Sequence, residues 1–146
     1  MKELVSIFTA TYNHEKYIAE CIQSVLDQTY LNWEMIILND GSNDNTENII
    51  KPFLKDERIK LINQSNVGIF RLNETYNYAL SISKGKYIAI LDGDDLWEKN
   101  KLELQMDFIN KNPEIILCWS KSQSISSDKK NNYGIYPQEN LDEILF

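Results

Sequence analysis

Apolar residues recur along the chain with two different spacings, which together predict strands alternating with helices. Short apolar runs that end in polar residues predict strands over 4–10, 33–42 with its closing turn, 58–64, 87–91 and 114–120. Apolar residues three or four positions apart predict amphipathic helices over 17–26, after Thr46, over 72–83 and from Leu102 to Ile109. The predicted order of elements is therefore β-α-β-α-β-α-β-α-β.

This order is typical of an α/β fold with a mostly parallel sheet covered by helices on both faces, because right-handed crossovers place helices above and below the strands. Ligands of such sheets bind at the carboxyl ends of the strands. The polar segments "TYNHE", "NDGS" and "DGDD" each follow a predicted strand. We therefore expect three loops to meet at one edge of the sheet and to form a binding site.

The last part of the chain, from Ser120 on, is polar and has little apolar periodicity. It favours one short strand around 133–136 and a terminal helix that starts at Leu141. The chain has no internal repeat and no long low-complexity linker, and its 146 residues are the size of one ordinary domain. We therefore predict a single domain over 1–146 with its core at 3–120.

Composition and charge exclude several classes of function. A formal net charge of −7 argues against a nucleic-acid partner, because binding to a phosphate backbone needs a basic surface. Cys21 and Cys118 lie in apolar periodic segments without metal-ligand spacing, which indicates buried thiols in a reducing compartment. No apolar run approaches the roughly 20 residues of a membrane span, and the start lacks the pattern of a signal peptide. We therefore expect no membrane segment and a cytoplasmic location.

The segment "YIAILDGDDLW" places Asp92, Asp94 and Asp95 at the end of a buried strand. Three carboxylates so close together repel one another, and burial would raise their pKa values unless a positive charge were present. Mg²⁺ and Mn²⁺ take one or two protein carboxylates and complete their shell with water and substrate phosphates. Gly93 allows the turn that lets Asp92 and Asp94 face one ligand. The segment therefore predicts a site for a divalent cation, Mg²⁺ or Mn²⁺.

A structural alternative exists for part of this segment. Asp95 and Glu98 match the capping box D-x-x-E and would open a short helix at Leu96. That interpretation needs only Asp95 and leaves Asp92 and Asp94 unexplained. The same segment can therefore form both a helix cap and a cation site.

The other two loops offer groups that could bind a nucleotide. Asp40, which follows the buried run 35–38, can accept hydrogen bonds from a base or a sugar, although Asp-Gly-Ser is also common in tight turns and helix caps. Tyr12 offers an aromatic face for stacking, or is a plain core or rim aromatic. Asn13 has an amide that can close its own loop. His14 has no Ser or Cys in recognisable relation to it and is given no role.

Other nucleotide- and phosphate-handling classes fit the sequence poorly. No G-x-G-x-x-G follows the first strand, and no G-x-x-x-x-G-K-[ST] occurs, so dinucleotide-binding enzymes and P-loop NTPases are disfavoured. A phosphatase or phosphotransferase with Asp92 as nucleophile is a third possibility. It fits poorly because the acidic turn follows the fourth predicted strand rather than the first.

Four motifs together give a specific resemblance to a known family. They are "TYN" after the first strand, "S-V-L-x-Q-T-Y", "D-G-S-x-D-x-T" and "K-G-x-Y-I-x-x-L-D-x-D-D", in this order and spacing over residues 3–120. In this combination the chain resembles the glycosyltransferases of family 2, which have the GT-A nucleotide-sugar-binding fold. The resemblance implies a Rossmann-like, three-layer GT-A domain that binds a nucleotide-diphosphate sugar.

The resemblance also implies roles for individual residues. Ala10 to Tyr12 would line the base pocket, with Tyr12 against the nucleobase ring and Asp40 hydrogen-bonding the edge of the base. Asp92 would reach the ribose, Asp94 would hold the metal that bridges the donor diphosphate, and Asp95 would assist the metal site or shape the turn. The nucleotide-sugar-binding residues so implied are Ala10, Thr11, Tyr12, Asp40, Asp92 and Gly93, and the metal ligands are Asp92 and Asp94.

The implied reaction is transfer of a sugar to an acceptor hydroxyl, with inversion at the anomeric carbon. The acceptor would be a carbohydrate or a lipid-linked sugar in surface polysaccharide synthesis. The enzyme would therefore work in the cytoplasm, including the inner face of the membrane. A non-catalytic module that only binds the nucleotide sugar is the alternative.

Two features depart from the family pattern. Asn39 stands where the family commonly has a first Asp, which keeps hydrogen-bonding capacity but removes a charge. The family's catalytic base lies well downstream of the Asp-x-Asp turn, where this chain has a short polar tail with Glu139, Asp142 and Glu143. None of these three is assigned as the base, so the catalytic residue is unknown. We therefore expect the chain to be the donor-binding half of a longer enzyme, or a shortened form of one.

Overall fold

The chain folds as alternating strands and helices, in a computed structural model that describes residues 2–126 and 130–136. The strands are β1 (Val5–Thr11), β2 (Trp33–Asn39), β3 (Ile59–Asn63), β4 (Tyr87–Ile90), β5 (Ser122–Ile125) and β6 (Asn132–Tyr136). The helices are α1 (Ile18–Leu26), α2 (Thr46–Ile50), α3 (Leu72–Ile82) and α4 (Lys101–Lys111), and 3₁₀ turns cover Lys51–Lys55 and Ile69–Arg71. The first four predicted strands and all four predicted helices are confirmed.

The first four strands form one sheet whose neighbours run parallel, in the order β3-β2-β1-β4. The chain steps from β1 to β2 to β3 in one direction and then returns across β1 to add β4. Because parallel crossovers are right-handed, α1 and α2 cover one face of the sheet and α3 covers the other. This arrangement confirms the predicted α/β fold, with a parallel sheet between two helical layers.

The core fills both faces of the sheet. On the α3 face, Phe8 and Leu38 pack with Ala79 of α3. On the opposite face, Ile7 and Ile37 are completely buried. Successive side chains of a strand point to opposite faces, so the nearly continuous apolar runs of β1 and β2 reflect burial on two sides.

A buried carboxylate fastens the amino-terminal side of the sheet to the turn before β4. Glu34 Oε1 accepts hydrogen bonds from Ser6 Oγ at 2.8 Å and from the Lys84 amide at 2.6 Å. Glu34 Oε2 pairs with Lys60 Nζ at 3.0 Å. Burial raises the pKa of Glu34, but these hydrogen bonds and the Lys60 charge outweigh burial and lower it. Gly85 completes the contact, since a Cβ there would lie 2.5 Å from the Ser6 nitrogen.

We expect Glu34→Gln to lower the free energy of unfolding at neutral pH by about 1–3 kcal/mol, because an amide cannot satisfy all the donors that face the carboxylate. A carboxyl with a lowered folded pKa stabilises the fold above its unfolded pKa of about 4.3, and loses that contribution as the pH falls through the folded value. The difference in the free energy of unfolding between the wild-type chain and Glu34→Gln should therefore decrease below about pH 4. Urea denaturation of both chains across this pH range measures it.

Glu47→Gln is the matched control, because the exposed side chain of Glu47 in α2 pairs with that of Lys51, the first residue of the following 3₁₀ turn. Such a pair contributes little, so its loss should change stability by no more than about 0.5 kcal/mol. Equal unfolding free energies for the two variants at neutral pH would show that the Glu34 carboxylate stabilises the fold no more than a surface carboxylate does.

The predicted strand over 114–120 is wrong. These residues form no strand, Ile116 is fully exposed, and Leu117 is also exposed. An apolar run rich in isoleucine has the propensity for a strand, but a strand forms only where a neighbour takes up its hydrogen bonds. Within the described residues this run has no strand partner.

The short helix predicted at Leu96 is also wrong, because α4 begins at Lys101. The side chain of Gln28, which lies just after α1, sets this start. Its Nε2 donates to Glu98 O at 2.8 Å, and its Oε1 accepts from the Leu102 amide at 3.0 Å. A cap from a distant part of the chain thus replaces the local capping box.

The chain divides into two compact units, Met1–Leu104 and Gln105–Phe146. In the second unit β5 and β6 pair antiparallel, and β6 confirms the strand predicted around 133–136. The helix predicted from Leu141 lies outside the described residues. Over residues 2–126 and 130–136, no helix has the length and apolarity that a membrane crossing requires. The single domain over 1–146 stays a prediction.

Candidate functional site

The carboxyl ends of β1, β2 and β3 present a row of neighbouring residues. The last paired row of the sheet is Thr11, Asn39 and Asn63. The ladder continues one residue further, because the Asp40 amide donates to Thr11 O at 2.9 Å. In the same way, the Gln64 amide donates to Asn39 O at 3.0 Å. Tyr12, Asp40 and Gln64 therefore form the next row.

This row continues the α3 face of the sheet, since alternate residues of a strand share a face. Tyr12 follows Phe8 and Ala10 on that face, and its side chain is 43% exposed, too open for a core residue. Ala10 is half-buried, whereas Thr11 is buried on the opposite face. Of the three residues predicted to line a base pocket, Ala10 and Tyr12 thus share a face and Thr11 does not. The pocket itself stays a prediction.

Asp40 holds the loop that follows β3. Its Oδ1 accepts from Gln64 Nε2 at 2.7 Å and from the Val67 amide at 2.8 Å. Its Oδ2 accepts from the Gly68 amide at 3.0 Å. Burial raises the pKa of Asp40, but these three hydrogen bonds outweigh burial and lower it. Both oxygens therefore have partners in the protein, and the contact of Asp40 with a base stays a prediction.

The loops after β1 and β2 are fastened to each other by reciprocal hydrogen bonds. The Asn13 amide donates to Ser42 Oγ at 3.0 Å, and Asn13 Oδ1 accepts from the Asn43 amide at 2.9 Å. The Glu15 amide donates to Asp44 Oδ2 at 3.0 Å. The prediction that the Asn13 side chain can close its own loop is wrong, because this side chain joins the loops after β1 and β2. Asn13 adopts a left-handed backbone (φ 56°) directly after Tyr12, so this link also fixes the segment that carries Tyr12.

The acidic turn stays attached to β1 and is held from both helical layers. The Gly93 amide donates to Ala10 O at 3.0 Å. Cys21 Sγ of α1 donates to Asp92 O at 3.5 Å. Tyr76 Oη of α3 donates to Asp92 Oδ1 at 3.3 Å. Asp92 is therefore oriented through both its carbonyl and its carboxylate.

Gly93 lies against two polar atoms that have no hydrogen-bond partner. A Cβ at Gly93 would be 2.8 Å from both Thr11 Oγ1 and His14 Nδ1. Both atoms are buried and unpaired within the described part of the chain. The sequence predicts no role for His14. In the structure its side chain lies directly against the acidic turn. Its only signal in the sequence is its place at the end of the "TYNH" segment.

Negative charge is concentrated at this turn. Burial raises the pKa of Asp95, and the charges of Asp94 and Asp92 raise it further. Burial, with the charges of the same three carboxylates, raises the pKa of the Cys21 thiol to about 12. A divalent cation would relieve the repulsion among these groups.

The carboxylates of the acidic turn fit a metal site that water and a ligand complete, rather than one formed by protein side chains alone. Within residues 2–126 and 130–136, no group of three His, Cys, Asp or Glu side chains is arranged to hold a metal ion. Mg²⁺ bound with a phosphate ligand needs only one or two protein carboxylates, because water and phosphate oxygens complete its shell. Asp92 and Asp94 are exposed on the turn and can serve in this way.

Tyr76 is a site residue that the sequence pattern does not reveal. Its helical spacing in α3 indicates a core position, and its ring does stack on Phe8 with centroids 6.5 Å apart. Its hydroxyl nevertheless reaches Asp92. Burial, with the nearby Asp92 charge, raises the pKa of Tyr76 to about 12, so the hydroxyl stays protonated as a hydrogen-bond donor.

Solved structures share this fold. A fragment of TarS from S. aureus, in complex with UDP-GlcNAc, matches with a TM-score of 0.67 at 28% identity, over 77% of this chain and 32% of that chain. The parallel sheet, with an Asp-Gly-Asp turn at its carboxyl edge, defines an α/β protein with the GT-A fold of glycosyltransferases.

Sequence relatives give the family. The family model for Glycosyl transferase family 2 matches residues 6–143. WfgD of Escherichia coli, a UDP-Glc:alpha-D-GlcNAc-diphosphoundecaprenol beta-1,3-glucosyltransferase, is 44% identical over 137 residues, which cover 93% of this chain and 52% of WfgD. TuaG of Bacillus subtilis, a glycosyltransferase named for teichuronic acid biosynthesis, is 43% identical over 112 residues, which cover 74% of this chain and 42% of TuaG. The chain belongs to glycosyl transferase family 2 and spans about half the length of these relatives.

Proposed function

We propose that this chain is the donor-binding part of a glycosyltransferase that moves a sugar from a nucleoside diphosphate to an acceptor hydroxyl. The observation that carries the proposal is that Tyr12, after β1, and the Asp92–Asp94 turn, after β4, lie at the same edge of neighbouring strands. The hydrogen bond from Gly93 to Ala10 joins this turn to the strand that carries Tyr12. A nucleotide laid along the edge has its base at Tyr12 and its diphosphate at the carboxylates.

Asp92 and Asp94 would hold a divalent cation, Mg²⁺ or Mn²⁺, beside the donor diphosphate. Such a cation supplies the positive charge that stabilises the leaving diphosphate, which the acidic turn alone would repel. The Tyr76 hydroxyl and the Cys21 thiol orient Asp92 before a ligand arrives. Asp92 also faces the ribose in this arrangement, and Asp95 supports the turn.

The reaction we propose is a direct displacement. The bond between the anomeric carbon and the diphosphate oxygen breaks, while the acceptor oxygen bonds to the same carbon from the opposite side, so the configuration inverts. The electron pair of the broken bond leaves with the nucleoside diphosphate. The acceptor proton passes to a carboxylate base, which we do not assign to a residue of this chain.

A UDP-sugar is the donor class we propose. Support comes from TarS, whose structure holds UDP-GlcNAc, and from WfgD, whose name gives UDP-Glc as its donor. The WfgD name also gives a diphosphoundecaprenol-linked acceptor, and TuaG is named for teichuronic acid biosynthesis. We therefore propose a lipid-linked or other carbohydrate acceptor in surface polysaccharide synthesis, at the cytoplasmic face of the membrane.

Donor binding and sugar transfer can be tested separately. Calorimetry with UDP, GDP, CDP and ADP, each with Mg²⁺ or Mn²⁺, should give the tightest binding for UDP. UDP release from UDP-glucose, with a lipid-linked GlcNAc acceptor present, then reports transfer. Binding without release is expected both of a donor-binding part that lacks the base and of a non-catalytic nucleotide-sugar-binding module, so nucleotide binding is the test of the proposal for this chain. If none of the four nucleotides binds, the proposed function is wrong.

A further inference from the structure

Gln28, in the S-V-L-x-Q-T-Y motif at residues 24–30, is a buried polar residue whose side chain reaches the segment that follows the acidic turn. Its Nε2 donates to Glu98 O at 2.8 Å, and its Oε1 accepts from the Leu102 amide at 3.0 Å. Because the nitrogen faces a carbonyl and the oxygen faces an amide, the side chain is held in one orientation. Gln28 therefore connects the end of α1 to residues 97–103, which we call the post-turn segment.

Ser24 and Thr29, in the same motif, hold the post-turn segment at further points. Ser24 Oγ accepts from the Trp97 amide at 3.2 Å, and Ser24 O accepts from Gln28 Nε2 at 3.0 Å. The Thr29 amide donates to Lys99 O at 3.0 Å. The motif thus holds consecutive residues of the post-turn segment, beginning at Trp97.

The acidic turn is consequently fixed on both sides. On the side of β4, the Gly93 amide donates to Ala10 O at 3.0 Å. On the other side, the motif holds Trp97, and residues 94–96 lie between the two fixed points. So short a stretch between fixed ends has few backbone conformations. The position of Asp94 therefore depends on the contacts of the post-turn segment.

Asp92 is held by other contacts than Asp94. Cys21 Sγ donates to its carbonyl oxygen, and Tyr76 Oη donates to its carboxylate. Release of the post-turn segment would therefore move Asp94 relative to Asp92. A cation shared by two carboxylates needs both of them at its coordination distance, so this movement would weaken the cation site.

We propose that Gln28 is a positioning residue, which holds the post-turn segment and thereby keeps Asp94 beside Asp92 before the donor arrives. This inference rests on the proposed function and adds a residue to the same site. Gln28 acts through backbone atoms of the post-turn segment, not through contact with the ligand. A site held in its binding geometry loses less conformational freedom when the ligand binds. If Gln28 only stabilised the fold, the affinity of the folded chain for UDP would not depend on it.

Gln28→Met tests this role, because methionine keeps the length of the side chain and removes its hydrogen bonds. In calorimetry, Mn²⁺ should tighten UDP binding at least about tenfold in the wild-type chain and by no more than about threefold in Gln28→Met. UDP in EDTA, and uridine with or without Mn²⁺, should bind the two chains equally, since this binding does not pass through the cation.

Gln23→Met is the matched control. Gln23 is exposed on α1, and its Nε2 donates to Asp27 Oδ1 at 2.8 Å, one turn further along the chain. The same substitution at this position leaves the contacts of the post-turn segment in place. Mn²⁺ should therefore tighten UDP binding in Gln23→Met as much as in the wild-type chain.

An unchanged effect of Mn²⁺ in Gln28→Met, or weaker binding of uridine, would overturn the positioning role and leave the proposed function standing. If Gln28→Met does not fold, Ser24→Ala decides in the same titrations, because it removes only the hydroxyl that holds Trp97 and leaves a good helix former. A wild-type chain that binds UDP with no effect of Mn²⁺ overturns the positioning role and the cation, but not donor binding. A wild-type chain that does not bind UDP overturns both proposals.

Discussion

Asp94→Ala is expected to weaken UDP binding at least about tenfold when Mn²⁺ is present, because the proposed cation would lose one of the two protein carboxylates that we propose hold it at the diphosphate. With EDTA in place of Mn²⁺, the variant should bind UDP at least as well as the wild-type chain, since a carboxylate without a cation repels the diphosphate. Isothermal titration calorimetry of UDP against both chains, with Mn²⁺ and with EDTA, gives the four affinities to compare.

Glu98→Ala is the matched control for this variant. Glu98 is exposed on the same segment, and it contacts Gln28 through its backbone oxygen, which the substitution keeps. Its loss removes one negative charge without touching the turn, so the effect of Mn²⁺ should stay as in the wild-type chain. If Asp94→Ala instead strengthens UDP binding in Mn²⁺, the carboxylate only repels the ligand and is not a metal ligand.

Tyr12→Ala is expected to weaken UDP binding about tenfold, and to the same extent with Mn²⁺ and with EDTA. Stacking of a base on an aromatic ring contributes about 1–3 kcal/mol, and this contribution does not pass through the metal. The ring of Tyr12 is exposed and is free to receive a base. The same calorimetric titrations, run with UDP and both solution conditions, measure the effect.

Tyr12→Phe is the companion variant, because it keeps the ring and removes only the hydroxyl. Its UDP affinity should stay within about threefold of the wild-type value. Tyr78→Ala removes another exposed tyrosine, on α3, and should have no effect. Loss of affinity in Tyr12→Ala that appears only with Mn²⁺ would place Tyr12 at the metal rather than at the base.

The strands of the sheet and the helices that cover it could be predicted because each has a characteristic spacing of apolar residues. In α1, Ile18, Cys21, Ile22 and Val25 recur at helical intervals, and all four are buried. In β2 all seven residues are buried, which is the continuous pattern that a central parallel strand requires. The meeting of three loops at one edge then followed from the order of strands and helices.

The elements that could not be predicted depend on contacts between distant segments. The run 114–120 has the composition of a strand, but composition does not supply a neighbouring strand. Asp95 and Glu98 match a capping box, yet α4 starts where Gln28 caps it, 70 residues away in sequence from Glu98. Local patterns describe what a segment favours, and these contacts decide which option it adopts.

The site shows the same limit. Asp92, Asp94 and Tyr12 could be proposed because their side chains are chemically unusual at the ends of buried strands. Gln64 and Tyr76 could not, because the contact of Gln64 with Asp40 comes from strand pairing and the contact of Tyr76 with Asp92 comes from the packing of α3. Gln64 joins the row because β3 pairs with β2 at one particular register, and a spacing pattern shows which face of a strand is buried without showing its neighbour on the next strand.

The most direct test of the metal-bridged donor site compares UDP with uridine on the wild-type chain, each titrated with Mn²⁺ and with EDTA. Uridine has the base and the ribose but no phosphates, so it reports on the Tyr12 end of the site alone. We predict that Mn²⁺ tightens UDP binding at least about tenfold and leaves uridine binding unchanged. UDP binding of equal strength in Mn²⁺ and in EDTA would contradict a cation shared between the acidic turn and the diphosphate.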